Sequence, residues 1–298
     1  MKPIVECVPN FSEGRRLDAI DAIVKAMAQV PSVQILDVQS DSDHNRSVVT
    51  AVGSPQAVVE MAFQGIAAAA DLIDLNHHRG EHPRMGATDV VPFVPVRGVT
   101  MQECVDLARQ LGERVGRELA IPVYLYEEAA TRPERRDLAN VRRGEYEGLK
   151  EEISTNSDRM PDFGPAELGT AGATAIGARP PLIAFNVYLN TDDVAPAKAI
   201  AGAVRHSSGG LRCVKALGLL VEGQAQVSMN LTDYRSTPIH RVVELIRSEA
   251  SRYGLAITRC EVVGLLPARA LFDAAEFYLQ LQGFAQERIL ENRLTAED

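Results

Sequence analysis

The stretch HHRGEHPRMGATDVVPFVPV, which begins at His77, gathers groups that can move protons and hold anions. It carries three of the chain's six histidines, with Arg79, Glu81 and Arg84, ahead of an apolar run at residues 90–96. A polar loop this rich in titratable and cationic side chains, delivered onto the edge of a sheet, is where chemistry is placed. His82 is its centre. Pro83 follows and disfavours the α-helical region at His82, which puts the imidazole on extended backbone. An imidazole titrates near neutral pH and can carry protons in both directions. A metal reading competes: His78 and His82 stand four apart with Glu81 adjacent, superficially a zinc pair. That spacing needs a helix, which Gly80 and Pro83 oppose, so the residues weigh against a metal without closing that reading.

The elements that would position this loop follow from periodicity. Residues 4–9 read as a strand, and residues 17–30 as a helix whose Leu17, Ile20, Ile23, Val24 and Met27 share a face. Strands follow at 33–38 and 47–52, then a helix from Pro55 to about residue 75, then the histidine loop and the strand at 90–96. This order, β-α-β-β-α-β, is that of a ferredoxin-like unit, extended by a helix near 100–119 and a short strand at 123–126. The order recurs with a strand at 181–189, a helix to about 205, strands at 214–221 and 226–231, a helix at 237–253, a strand at 256–263 and a last helix at 268–281. Glu222-Gly223 marks a hairpin in this second half. The expectation is an α+β chain of two ferredoxin-like subdomains, 1–180 and 181–298, whose open sheet faces border a shared ligand crevice.

Two connecting segments are ambiguous. Residues 132–152 alternate in charge and read as a solvated helical surface. Residues 161–181, rich in Gly, Ala, Thr and Pro, read either as a linker or as a loop whose glycines let backbone approach a ligand. They have no Walker spacing and no GxGxxG pattern.

Bulk properties narrow the class. The 298 residues are 46% hydrophobic and 24% charged, as in a soluble globular protein with a substantial core. A net charge of -9 argues against a nucleic-acid binder but permits a local basic site. Cys7, Cys104, Cys213 and Cys260 form no CxxC pair, and three of them sit in apolar surroundings that suggest buried free thiols, which fits a cytoplasmic protein. Neither a signal peptide nor a membrane span is expected.

Four segments then stand together: VECVPNFSEGR from Val5, DHNRSVVTAVGSP from Asp43, GEHPRMGATDVVPF from Gly80, and PDFGP with GATAIGARPPLIAFNVYL from Gly172. In order and spacing they resemble the glutamate formimidoyltransferase family over essentially the whole chain. The resemblance implies transfer of a formimidoyl group from N-formimidoyl-L-glutamate to tetrahydrofolate, a step of histidine degradation. It implies a homodimer, tetrahydrofolate as co-substrate and no metal. It also implies a separate cyclodeaminase, because that activity is fused to this unit in animals whereas this sequence ends at Asp298. The catalytic histidine of the GEHPRMGA motif falls on His82, and the folate-contacting loop on residues 163–172, including Phe163, Gly164 and Gly172.

One position departs from the family: Gln39 stands where animal members have an aspartate thought to assist the histidine. Asp41 or Asp43, in the same loop, are the substitutes. The chemistry needs N5 of tetrahydrofolate to lose a proton and the glutamate nitrogen to gain one, which one imidazole between them can do. Both substrates carry carboxylates, so Arg46, Arg84 and Arg179 are candidate anion contacts, each with a plain salt bridge as the alternative. Asn10 is a further candidate contact, while Ser12 is expected to cap the first helix. A non-catalytic folate or small-molecule binder and a formyl rather than formimidoyl transferase are the competing readings.

Overall fold

The computed structural model describes residues 2–80 and 82–294. The chain divides into two compact units, Met1–Pro180 and Pro181–Asp298. In the first, strands β1 (Ile4–Cys7) and β2 (Asn10–Phe11) precede helix α1 (Leu17–Ala28). Strands β3 (Val33–Asp41) and β4 (Arg46–Gly53), helix α2 (Pro55–Leu72) and strand β5 (Thr88–Arg97) complete the β-α-β-β-α-β order. Helix α3 (Met101–Glu118), strand β6 (Val123–Glu127), the short helices α4 (Leu138–Val141) and α5 (Glu145–Glu152) and strand β7 (Thr174–Ala178) extend it.

β1 and β2 share one lane of the sheet, since both pair β4 on one side and β5 on the other. Pro9, which has no N–H to donate, sits at the break between them. Across the sheet the lanes run β3, β4, β1/β2, β5, β7, β6. The first four lanes are the antiparallel ferredoxin-like arrangement, and β7 and β6 add in parallel. On α1, Ala19, Ile20, Ile23 and Met27 are buried, which is one helical face. α3 starts at a capping box in which Thr100 and Glu103 satisfy each other's backbone N–H. The helices cover one sheet face with Val91, Phe93, Val123, Leu125 and Ile176. The alternating residues Val90, Tyr124, Tyr126 and Ala175 point the other way and pack with Val141 of α4, Leu149 of α5 and Ile153.

Three expectations need correction. The Gly- and Ala-rich stretch is not a linker throughout: residues 174–178 form β7, a strand buried on both faces between β5 and β6. The charge-dense segment is not merely solvated, because it buries Arg135, Val141, Tyr146 and Leu149. Of the cysteines, Cys7 and Cys104 are buried, Cys213 is half-buried and Cys260 is exposed.

The second unit repeats the order with β8 (Ile183–Leu189), α6 (Val194–Val204), β9 (Val214–Val221), β10 (Gln224–Leu231), α7 (Ile239–Ser251) and β11 (Ile257–Val263). Helices α8 (Ala268–Tyr278) and α9 (Leu290–Leu294) follow. Its strand order, β11-β8-β10-β9, is again ferredoxin-like. Glu222 and Gly223 turn the β9–β10 hairpin with φ of 49° and 75°, the twist-matched type. α6 is capped by Asp193, whose carboxylate accepts the Ala195 N–H. Among the described residues no helix is long and apolar enough to cross a membrane.

Gly172 pins the loop before β7 against the histidine loop. Its φ is +68°, and a Cβ there would lie 2.3 Å from the Met85 carbonyl oxygen. Gly172→Ala should therefore lower stability by about 1–3 kcal/mol. Urea denaturation checks this: an unchanged midpoint would show that the close approach is not needed.

Candidate functional site

The site is built on the turn between β3 and β4. Asp41 ends β3 and pairs with Arg46, which starts β4. One Asp41 carboxylate oxygen accepts the N–H groups of Asp43 and His44, each at 2.9 Å, which closes the turn. Asn45 then takes a left-handed φ of 49°, which asparagine tolerates. Its buried amide joins three segments: Oδ1 accepts the Gly14 N–H at 2.9 Å and Nδ2 donates to the Arg79 carbonyl at 2.9 Å. Gly14 is needed for that approach, because a Cβ would stand 2.2 Å from the Asp41 carbonyl oxygen.

Glu13, not Ser12, serves the start of α1. Its carboxylate accepts the N–H groups of Gly14, Arg15 and Arg16. Burial raises its pKa, but the Arg16 and Arg15 amides and the Arg16 guanidinium outweigh it and hold the group below the usual carboxylate range. Ser12 instead donates to the Gly86 carbonyl at 2.7 Å. This ties the first strand lane to the histidine loop.

His82 lies on irregular backbone with its Nε2 2.6 Å from Arg46 Nη1. A guanidinium can only donate, so Nε2 is the unprotonated ring nitrogen. Burial pushes the imidazole pKa down to about 3, and the charges of Arg46, Arg142 and His44 act the same way, while a backbone hydrogen bond at Pro83 opposes them. His44 meets the His82 ring edge-on, with centroids 6.1 Å apart. The Asp41 carboxylate is directed to His44, whose Nδ1 is 3.0 Å away. Asp43 is exposed and gives its backbone N–H to Asp41, and Gln39 is exposed on β3. The structure thus sets a guanidinium against His82, and directs the nearest turn carboxylate to His44.

Asp89 and Arg142 complete the cluster, and neither was singled out from sequence. Asp89, second residue of β5, has a side chain only 2% exposed. It accepts the Met85 N–H at 2.9 Å and pairs with Arg142 Nη2. Burial and the Arg142 charge push the Arg46 guanidinium pKa down, against Asp89 and Asp41, which pull it up. Arg84 is differently placed. Its guanidinium, 8% exposed, is held by Glu145 at 2.8 Å and Glu147 at 2.6 Å. Its Nε reaches His78 Nδ1 at 3.3 Å, and His78 Nε2 bonds the Asn45 carbonyl at 3.0 Å. His78 is therefore a tie between the two loops rather than a partner of His82. Glu81 lies outside the described residues.

The remaining candidates are dispersed. Asn10 turns its amide onto the Val8 carbonyl. Arg179, at the far end of β7 from Gly172, lies near Glu6 and lowers its pKa against the rise from burial. Phe163 bridges to Val123 and packs its ring against Gly112 of α3, while Gly164 crosses close to Gly116. Gly172 bridges to Gly86, at the foot of the histidine loop. A cavity of about 260 Å³ lined by Asn76, Arg79, Tyr146, Glu147 and Lys150 lies beyond the Arg84 ion pairs, and His82 does not line it. Among the described residues no group of three or more His, Cys, Asp and Glu side chains is assembled to hold a metal ion.

Residues 4–179 match the formiminotransferase domain, N-terminal subdomain, and residues 184–293 match the formiminotransferase domain. Over 98% of its length the chain is 54% identical to a glutamate formimidoyltransferase of Thermoplasma acidophilum, covering 97% of that protein. It is 50% identical to a glutamate formimidoyltransferase of Streptococcus pyogenes, over 99% of both chains. It is also 46% identical to a formimidoyltransferase-cyclodeaminase of Mus musculus, covering 93% of this chain but 53% of that protein. The chain belongs to the formiminotransferase family and is a transferase of that family.

The Arg46 contact makes a titration prediction. In the ligand-free protein His82 should stay neutral across the range of about pH 5 to 8 in which free imidazoles titrate. Arg46→Gln removes a positive neighbour, which favours the imidazolium, so its pKa should move upward. Imidazole NMR titration decides; a His82 resonance that titrates alike in both proteins would sink the assignment.

Proposed function

We propose that this chain transfers the formimidoyl group of N-formimidoyl-L-glutamate to N5 of tetrahydrofolate, with His82 as the proton carrier. The names of the full-length relatives support formimidoyl transfer. The observation that carries the residue assignment is the unprotonated His82 Nε2 beside Arg46, with Arg142 close by. A neutral imidazole can take the proton that N5 sheds as it attacks the formimidoyl carbon. It can then return that proton to the departing glutamate nitrogen, so the proton balance closes within one residue. Neither a metal nor a covalent enzyme intermediate enters this scheme. Approximation of the two substrates supplies much of the remaining acceleration.

The rest of the reading follows from the family. The 163–172 loop contacts the folate, the chain works as a cytoplasmic homodimer, and a cyclodeaminase consumes the product. Asp41 acts through His44 rather than on His82 directly.

Purified protein given N-formimidoyl-L-glutamate and tetrahydrofolate should release L-glutamate and form the 5-formimidoyl product. His82→Ala should keep its fold and lower turnover by at least about 10²-fold, the lower end for a proton-transfer group. Near wild-type turnover of that variant at saturating substrates would remove His82 from the mechanism. Turnover only with N-formyl-L-glutamate would make the enzyme a formyl transferase.

A further inference from the structure

We propose that Arg142 and Arg46 form a two-guanidinium clamp for the α-carboxylate of the glutamyl donor, so that Arg142 sets donor specificity. This rests on the transfer reading of the same site. Three observations converge on it. First, among the described residues the charges do not balance: Arg46 bonds His82, Arg142 acts on both through its charge, and Asp89 is the one carboxylate bonded to either guanidinium. Arg84, by contrast, has both Glu145 and Glu147. Second, the Nε–H of Arg142 is buried without a hydrogen-bond partner among the described residues. A buried charged donor left unpaired is costly, which is the signature of a group that waits for an acceptor. Third, the Arg46 guanidinium spends a donor on the His82 ring, which is neutral, and has no carboxylate within ion-pair reach among the described residues. An incoming carboxylate is a stronger acceptor than an imidazole nitrogen.

Covalent geometry favours the α-carboxylate over the γ-carboxylate and over the folate tail. In the donor, the formimidoyl carbon is three bonds from the α-carboxylate carbon, within about 4 Å, and five bonds from the γ-carboxylate carbon. A clamp touching His82 therefore meets the α-carboxylate of a donor whose formimidoyl group is at that ring. The glutamate tail of tetrahydrofolate is separated from N5 by an aminobenzoyl spacer, about 10 Å or more. The clamp also couples binding to chemistry. When Arg46 turns to the carboxylate, its N–H leaves His82 Nε2, and the lone pair that must accept the N5 proton becomes available. Arg142 stays anchored on Asp89 throughout, which fixes the clamp to β5.

The test uses N-formyl-L-glutamate and its analogue with a carboxamide in place of the α-carboxylate, titrated calorimetrically into the whole protein. Wild type should prefer the carboxylate by at least about tenfold, the worth of one charge-assisted hydrogen bond. Arg142→Gln, which leaves Arg46 as half of the clamp, should lower that preference by at least about threefold. Arg142→Gln strands Asp89, so the same comparison is made in Arg142→Gln/Asp89→Asn, which leaves no unpaired buried carboxylate. Binding of p-aminobenzoyl-L-glutamate, which carries the folate tail, should be unaffected in both variants. Equal weakening of both donor analogues, undiminished discrimination in the double variant, or selective loss of p-aminobenzoyl-L-glutamate binding would each overturn the clamp. Turnover is scored separately. No transfer by wild type with carboxylate discrimination intact would defeat the transfer reading alone, while transfer without discrimination would defeat the clamp alone.

Discussion

A guanidinium can hydrogen-bond an imidazole only through the lone pair of an unprotonated ring nitrogen. The contact between Arg46 and His82 therefore fixes the tautomer, holds the ring neutral and occupies the atom that a base would use. It also dictates what must surround it. The Arg46 guanidinium, set beside a neutral ring, needs counter-charge, and among the described residues the buried carboxylate that acts on it, Asp89, is already bonded to Arg142. Among the described residues this leaves positive charge for a bound anion to meet. This makes the site an anion receptor by construction, inside a chain whose net charge is -9.

The fold delivers these groups by converging loops at one end of the first sheet. Arg46 comes from the start of β4, His82 from the segment before β5, Asp89 from β5 itself and Arg142 from the end of α4. None of these segments is held by regular structure alone. Asn45 staples the β3–β4 turn to Gly14 and Arg79, Ser12 ties the first strand lane to Gly86, and His78 joins Asn45 to Arg84. Buried side-chain to backbone bonds of this kind position a loop at a cost that is recovered only if every partner is present. The parallel strands β7 and β6, appended to the ferredoxin-like order, buttress the same end, because Gly172 bridges to Gly86.

Much of this was legible in the sequence. The two β-α-β-β-α-β runs appear in the order expected, since hydrophobic period, proline and turn chemistry agree along them. β7 was missed because Ala173, Thr174, Ala175, Ile176, Gly177 and Ala178 offer almost no bulky alternation. A strand buried on both faces between close neighbours needs small residues, and these look like a linker. Asp89 carried a usable signal, a lone carboxylate at the head of an apolar run, which is expensive to bury unless something answers it. Arg142 carried none. It stands among Arg132, Arg135, Arg136 and Arg143, and only the fold distinguishes the guanidinium bonded to Asp89 from its neighbours. The reading of Asp41 or Asp43 as partners for His82 followed from nearness in sequence, whereas the turn points the Asp41 carboxylate at His44.

The central claim is that anion binding frees His82 from Arg46, and proton linkage measures it directly. With the ring buried and Arg46 beside it, the imidazole pKa is pushed down to about 3, so the free site is unprotonated near neutrality. If a carboxylate draws Arg46 away and neutralises it, the charge effect is lifted while burial remains, so the pKa rises and binding takes up a fraction of a proton. Calorimetric titration of N-formyl-L-glutamate at about pH 6, in buffers of different ionisation enthalpy, reads that uptake. The account predicts net proton uptake in the wild type that disappears in His82→Ala. Binding heats that are independent of the buffer, or an uptake that survives in His82→Ala, would contradict it.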